Sequence, residues 1–165
     1  QTLQKIVHDA AADTDRLIEM TADGISDLRG YVHVLREAGD RDDSLMSSVR
    51  RFAMKFSQAT NIVVQVRADN DIQVDDRLGS ELFQMVVEGL SNIRRHTQSE
   101  RAFIGLECNN GHLIMRIEND ESAPKPFNPR SISERASALG GRAYVETFGD
   151  FGTSVIIEVA TRQIT

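Results

Sequence analysis

The sequence predicts an α+β two-layer sandwich: a mixed, mostly antiparallel sheet with helices on one face, preceded by a long helix. Three observations predict it. Helical periodicity runs through residues 3–36, 44–60 and 76–96. The β-rich segments come largely as hairpins, which pair neighbours antiparallel. The order is helix, helix, strands, helix, hairpin, short helix, hairpin, and that order stacks helices on one side of a single sheet.

The first segment, 3–36, has no proline and two glycines, Gly24 and Gly30. Ile25, Leu28, Val32 and Leu35 follow the spacing of an a/d seam. A single helix cannot bury such a stripe alone, so it packs on its own domain or on a second copy. The helix precedes the globular part instead of alternating with its strands. The expectation is therefore a dimerisation helix over residues 1–40 and a separate α+β domain over residues 41–165. A polar turn with Gly39 joins the two.

Ser44 caps a second helix that carries Leu45, Val49, Phe52 and Phe56 on one face. The β-branched run at 62–66 reads as a strand, with a short partner around Ile72 and Val74. Residues 76–96 form the clearest helix, with Leu82, Met85, Val86, Leu90 and Ile93 as its buried stripe. Strands at 102–108 and 112–118 are joined by Asn109-Asn110-Gly111, whose residues tolerate positive φ. Residues 119–129 are irregular, with prolines at 124, 126 and 129. A short helix over 131–139 is stopped by Gly140-Gly141. The last hairpin pairs 142–147 with 153–160 and turns at 149–152.

Composition removes several function classes. The net charge is −6, which argues against a nucleic-acid surface of clustered Lys and Arg. No apolar run approaches the roughly 20 residues that cross a bilayer. The chain begins with Gln1 and reads as an excised piece, so any membrane anchor lies upstream of it. Cys108 is the single cysteine, which allows no internal disulfide and no zinc cluster. It reads as a small hydrophobe in a strand, in a reducing, cytoplasmic setting.

The chemistry concentrates at the end of the 76–96 helix. Glu88, Asn92 and Arg95 stand at i, i+4 and i+7 and share one face, with His96 at its edge. A carboxylate, an amide oxygen, a guanidinium and an imidazole thus line up at about 6 Å per step. Such a set can hold Mg²⁺ through oxygens and phosphate through the basic groups. The same face also suits an ordinary solvated network of i,i+4 pairs.

Residues 88–97, Glu-Gly-Leu-Ser-Asn-Ile-Arg-Arg-His-Thr, resemble the N-box of the GHKL ATPase superfamily, E-A-L-T-N-x-x-R-H-A in histidine kinases that pair with LuxR-type response regulators. Asp27-Leu28-Arg29 through Leu35-Arg36 resembles the second dimerisation helix of that family. Residues 56–64 resemble the entry to its first ATPase strand, 133–141 its M-R-E-R-A-x-x-L-G-G stretch, and 149–153 its final G-x-G-T turn. The resemblance implies a sensor histidine kinase of a two-component system, dimeric through its N-terminal helix, that binds Mg-ATP, phosphorylates its own histidine and passes the phosphoryl group to a response regulator receiver domain. By it, Asn92 coordinates the Mg²⁺ of ATP, Glu88 polarises the attacking group or a metal-bound water, and Arg95 and His96 contact phosphates. The adenine-binding carboxylate of its D-x-G-x-G motif falls at Asn119, with Asp120 beside it as the charged alternative. Anti-sigma-factor-like serine kinases share the fold but lack the dimerisation helices.

The chain departs from that pattern in three places. Glu121 and Ala123 replace both glycines of D-x-G-x-G. No glycine stands anywhere in 121–131, where the family has a glycine-rich lid whose backbone N–H groups cradle phosphate. His8-Asp9 looks like a phosphoacceptor box, but 17 residues separate Asp9 from Asp27, too few for a helix, a turn and a returning helix. These departures raise the alternative of a degenerate kinase that serves as a dimeric signalling scaffold with weak or no ATP binding.

Overall fold

The computed structural model describes residues 45–69, 72–121, 128–148 and 152–161. The chain divides at Gly39 into two units, and every described residue belongs to the second. The expected dimerisation helix, its seam, His8 and the lid at 122–127 lie outside the described residues.

The second unit has three described helices and five strands. They are α1 (Leu45–Ala59), β1 (Val63–Ala68), α2 (Asp76–His96), β2 (Arg101–Asn109), β3 (His112–Asn119), α3 (Arg130–Ala138), β4 (Arg142–Thr147) and β5 (Thr153–Ala160). The sheet order is β1-β2-β3-β5-β4. β1 and β2 run parallel, with α2 as their crossover, and the other pairs are antiparallel. This is the expected α+β sandwich with a mixed, mostly antiparallel sheet.

All five predicted stripe residues of α2 are buried: Leu82, Met85, Val86, Leu90 and Ile93. They face Ile104, Leu106, Leu113, Met115, Ile117 and Ile157 of the sheet. All of these are buried too, because alternate residues of each strand point to the helix side. α2 lies between α1 and α3 and touches both. The buried face of α1 is Met46, Val49, Ala53 and Phe56. Phe52 sits at the rim instead, edge-on to Phe83 at 5.7 Å.

Local chemistry explains the turns. Asp75 caps α2 by accepting Leu78 N–H at 2.8 Å. Asn110 and Gly111 have φ of 51° and 77°, as a tight hairpin between twisted strands requires. After α3, Gly140 has φ 75° and donates to Ser137 O, while Gly141 donates to Ala136 O. This pair of bonds is a Schellman motif. Two expectations are corrected. Ile72 and Val74 form no strand. Cys108 lies in β2 as expected but is exposed, because β2 runs past the sheet's covered part into its hairpin.

Among the described elements no helix covers the other sheet face, and polar side chains interlock across it. Tyr144 Oη donates to Glu158 Oε1 at 2.8 Å, and Arg142 Nε donates to Oε2 at 2.6 Å. The Tyr144 bond, then the Arg142 bond, hold the Glu158 carboxyl below its ordinary pKa. A depressed carboxyl stabilises the fold above its unfolded pKa, and that contribution disappears as pH falls through its folded pKa. Tyr144→Phe is therefore expected to lower the urea midpoint at neutral pH. The gap from wild type should close once pH falls below the value of Glu158; a gap constant across the acid range would contradict this.

Candidate nucleotide site

α2 comes close to the sheet at Gly89. A Cβ there would lie 2.5 Å from Ile117 Cδ1, so the missing side chain is what lets the helix rest on β3. Its neighbours Glu88 and Asn92 are consequently half-buried at the flank of α2. Glu88 Oε2 accepts Ser131 Oγ–H at 2.9 Å, which ties α2 to the first turn of α3. The Asn92 side chain makes no hydrogen bond among the described residues. Arg95 and His96 stand exposed in the last turn of α2, next to Arg94. Three basic residues at a helix C-terminus also complement its dipole, so their presence alone does not demand phosphate.

The helix ends in a short loop that the end of β3 holds in place. Thr97 N–H reaches Ile93 O at 3.1 Å, and Thr97 Oγ1 lies 2.9 Å from Ser99 Oγ. Ser99 Oγ–H donates to Asn119 Oδ1 at 3.2 Å. Glu121 N–H donates to the same oxygen at 3.0 Å. Asp120 Oδ1 accepts Glu100 N–H and Arg101 N–H, both at 3.1 Å. Glu121 Oε2 accepts Gln98 N–H at 2.7 Å. Three consecutive side chains, 119 to 121, thus grip residues 98–101 and satisfy loop donors that would otherwise be orphaned.

Opposite Asn119, Gly152 has φ 150°, and a Cβ there would come 2.6 Å from Asn119 O. Glycine at 152 lets the two backbones close that end of the sheet. A separate groove of about 220 Å³, lined by Asp75, Leu78, Leu139 and Val159 among others, lies at the opposite end of α2, where the helix begins.

The predicted residues therefore fall into two groups. Glu88, Asn92, Arg95 and His96 lie along one flank of α2, as the spacing required. Asn119 and Asp120 lie at the end of β3, beneath the loop that follows α2. Ser99 and Ser131, which bind Asn119 and Glu88, carry no local signal in the sequence. They meet their partners 20 and 43 residues away.

The α2 flank could take Mg²⁺ and phosphate: Asn92 offers an uncommitted amide oxygen in a half-buried place, beside a carboxylate and two basic residues. Among the described residues no cluster of three or more His, Cys, Asp or Glu could hold a metal by itself. The end of β3, where the resemblance expects adenine, suits it less well. Asn119 Oδ1 is doubly bonded, Asp120 Oδ1 holds two backbone N–H groups, and Asp120 Oδ2 lies 3.5 Å from Arg101 Nε.

Known proteins resemble the chain in sequence and in fold. It is 23% identical over 149 residues to the sensor protein VraS of Staphylococcus aureus (strain COL), covering 86% of this chain and 43% of that protein. The Staphylococcus epidermidis VraS (strain ATCC 12228) is also 23% identical over 149 residues, with 42% of its length covered. The chain thus spans less than half the length of these curated relatives. No protein-family model matches it. The histidine kinase domain of the blue-light activated histidine kinase from Erythrobacter litoralis superposes with a TM-score of 0.60 at 21% identity, covering 84% of this chain and 73% of that one. The ATP-binding domain of PrrB from Mycobacterium tuberculosis superposes with a TM-score of 0.61 at 13% identity, covering 72% and 93%. In sequence the chain is a relative of the sensor histidine kinases, and it has the fold of their ATP-binding domain.

Proposed function

We propose that this chain is the nucleotide-binding part of a two-component sensor kinase, and that the α2 flank holds a Mg-nucleoside triphosphate, ATP by likeness to its relatives. The observation that carries the proposal is the uncommitted, half-buried amide of Asn92 beside Glu88. When bound, Mg²⁺ neutralises phosphate charge and aligns the terminal phosphoryl group. Asn92 would give it an amide oxygen. Arg95 and His96 would contact phosphate oxygens, and Glu88 would polarise the attacking group or a metal-bound water. In the intact protein the phosphoryl group then passes from that histidine to an aspartate of a response regulator receiver, of the LuxR-type class by the N-box pattern. Residues 1–40 would pair two copies, and residues 41–165 would form the ATPase domain. The domain would work in the cytoplasm, with membrane attachment only through an upstream region. No described helix is long and apolar enough to cross a membrane.

A second reading is a degenerate kinase acting as a dimeric signalling scaffold. The Glu88–Ser131 bond favours it, since it engages one oxygen of the carboxylate that catalysis would use. Titration calorimetry with Mg-ATP and Mg-GTP separates the two. The first reading predicts saturable binding that Asn92→Ala weakens about 10–150-fold, the worth of one charge-assisted contact. Absence of binding with both nucleotides at millimolar concentration would leave the scaffold.

A further inference from the structure

The sheet order leaves β1 at one edge, and the hydrogen bonds show which of its groups face outward. Val63 N–H donates to Glu100 O at 2.8 Å, and Asp69 N–H to Leu106 O at 3.0 Å. In a parallel ladder alternate residues bond the same neighbour, so 63, 65, 67 and 69 face β2. The N–H and C=O groups of Val64, Val66 and Ala68 therefore point away from the sheet. Val64 N–H donates to Ser57 Oγ of α1 at 3.0 Å. The N–H groups of Val66 and Ala68, and all three carbonyls, bond nothing among the described residues. β1 has no proline, lysine or bulge, the devices that usually blunt such an edge. Its single charge, Arg67, lies on the uncovered sheet face over the Phe103 ring at 5.8 Å.

α1 brings an apolar side chain to the same edge. Its Phe52 turns toward α2, where it meets Phe83. Successive helical residues are turned by about 100°, so Arg50, Met54 and Ser57 lie on the flank opposite Phe52. That flank faces away from α2 and over the open edge, as the bond from Val64 N–H to Ser57 shows. Met54 is 55% exposed there. The chain reverses direction between α1 and β1. Met54, one turn before Ser57, therefore stands abreast of the middle of the strand.

These groups are complementary to a second copy of the same strand. With the two strands antiparallel about a two-fold axis at Val66, Val66 meets Val66, and Val64 meets Ala68 in each direction. Every such pair joins residues whose N–H and C=O face outward, as an antiparallel ladder requires. Groups that are open now can make two bonds between the Val66 residues and one from each Ala68 N–H to the opposite Val64 O. Apolar side chains meet on the α1 side. On the other face Gln65 stands opposite Arg67, so no like charges are opposed. The exposed Met54 of each copy comes to the axis. We propose that a second copy of this chain adds its β1 to this edge, joining two sheets into one through a contact separate from residues 1–40. The contact is isologous and closes on itself. It buries less than the roughly 1,200 Å² of a standard interface, so it is weak and depends on concentration. It does not rest on the nucleotide-binding reading.

The test is amide hydrogen exchange of the whole chain, read residue by residue by NMR at low and at near-millimolar chain concentration. The Val66 and Ala68 amides are expected to exchange about tenfold more slowly at the higher concentration, the slowing reached when roughly nine-tenths of the edges are paired. Val66→Pro removes the central donor and leaves the β2 ladder intact, because that N–H points outward. Met54→Lys sets two like charges at the axis from a surface position, so it tests the contact even if proline weakens the strand. Each should abolish the slowing at Ala68, with urea unfolding to establish that each variant is folded. Ser57→Ala frees Val64 N–H for the opposite Ala68 O and should strengthen the slowing. Fast exchange of Val66 and Ala68 at both concentrations would overturn the proposal. Equal protection at both would overturn it too, since the chain would then cover its own edge. So would slowing that persists in either Val66→Pro or Met54→Lys.

Discussion

Leu90→Ala is expected to destabilise the described unit by about 2–5 kcal/mol, the range for emptying a buried leucine site. Leu90 is 0% exposed and sits in the stripe that α2 presents to the sheet. Such a cavity normally shrinks when its walls move inward. Here α2 already touches β3 where Gly89 meets Ile117, so the helix has little room to settle further. The void should persist, and the cost should lie in the upper half of the range. Urea unfolding followed by circular dichroism reads this as a fall in midpoint with an unchanged slope. A loss below about 1 kcal/mol would mean that α2 is not held against the sheet as described.

Gly141→Ala is the second large effect. A Cβ at 141 would stand 2.2 Å from Glu158 O and 3.1 Å from Val159 Cα, both backbone atoms of β5. Backbone of a paired strand cannot swing aside as a side chain can. The expected cost is about 3 kcal/mol, the upper end of ordinary overpacking. Gly140 gives the internal comparison. Its φ of 75° is left-handed but open space surrounds it, so Gly140→Ala should cost only the conformational penalty of about 1–2 kcal/mol. The ranking matters for the site, because Gly141 anchors the end of α3 whose other end supplies Ser131 to Glu88. If the two variants cost the same, the close approach of α3 to β5 is not what fixes that helix.

The sequence was most legible where one physical rule acted over a short span. The α2 stripe, the Asn-Asn-Gly hairpin and the Gly-Gly stop each depend on neighbours within about a turn, and each appears where the residues require it. It was less legible where partners are distant. Nothing local tells β1 to pair parallel with β2 across α2, and the apparent partner strand at Ile72 and Val74 is irregular connection instead. Cys108 reads as a small hydrophobe in a strand, but it is exposed where β2 leaves the core for the hairpin.

The site divides the same way. Helical spacing alone puts Glu88, Asn92 and Arg95 on one flank. That Ser131 would bond Glu88, or that Ser99 and Glu121 would bond the oxygen of Asn119, depends on contacts across 43, 20 and 2 residues. The last of these is local enough to read as an Asx turn, and Asn-Asp-Glu at the end of a strand is its signal.

In the proposed site a nucleotide-bound metal sits against Asn92. Replacing Mg²⁺ by Mn²⁺, which takes the same oxygen ligands, makes this visible, since its unpaired electrons broaden nearby NMR signals. In the isotope-labelled protein with GTP or ATP, a trace of Mn²⁺ should erase the Asn92 side-chain amide and the backbone signals of residues 88–96 before any others. Asn92→Ala should lose that pattern. Broadening centred instead on the groove at Asp75 and Arg77, or spread evenly over surface carboxylates with and without nucleotide, would contradict the account.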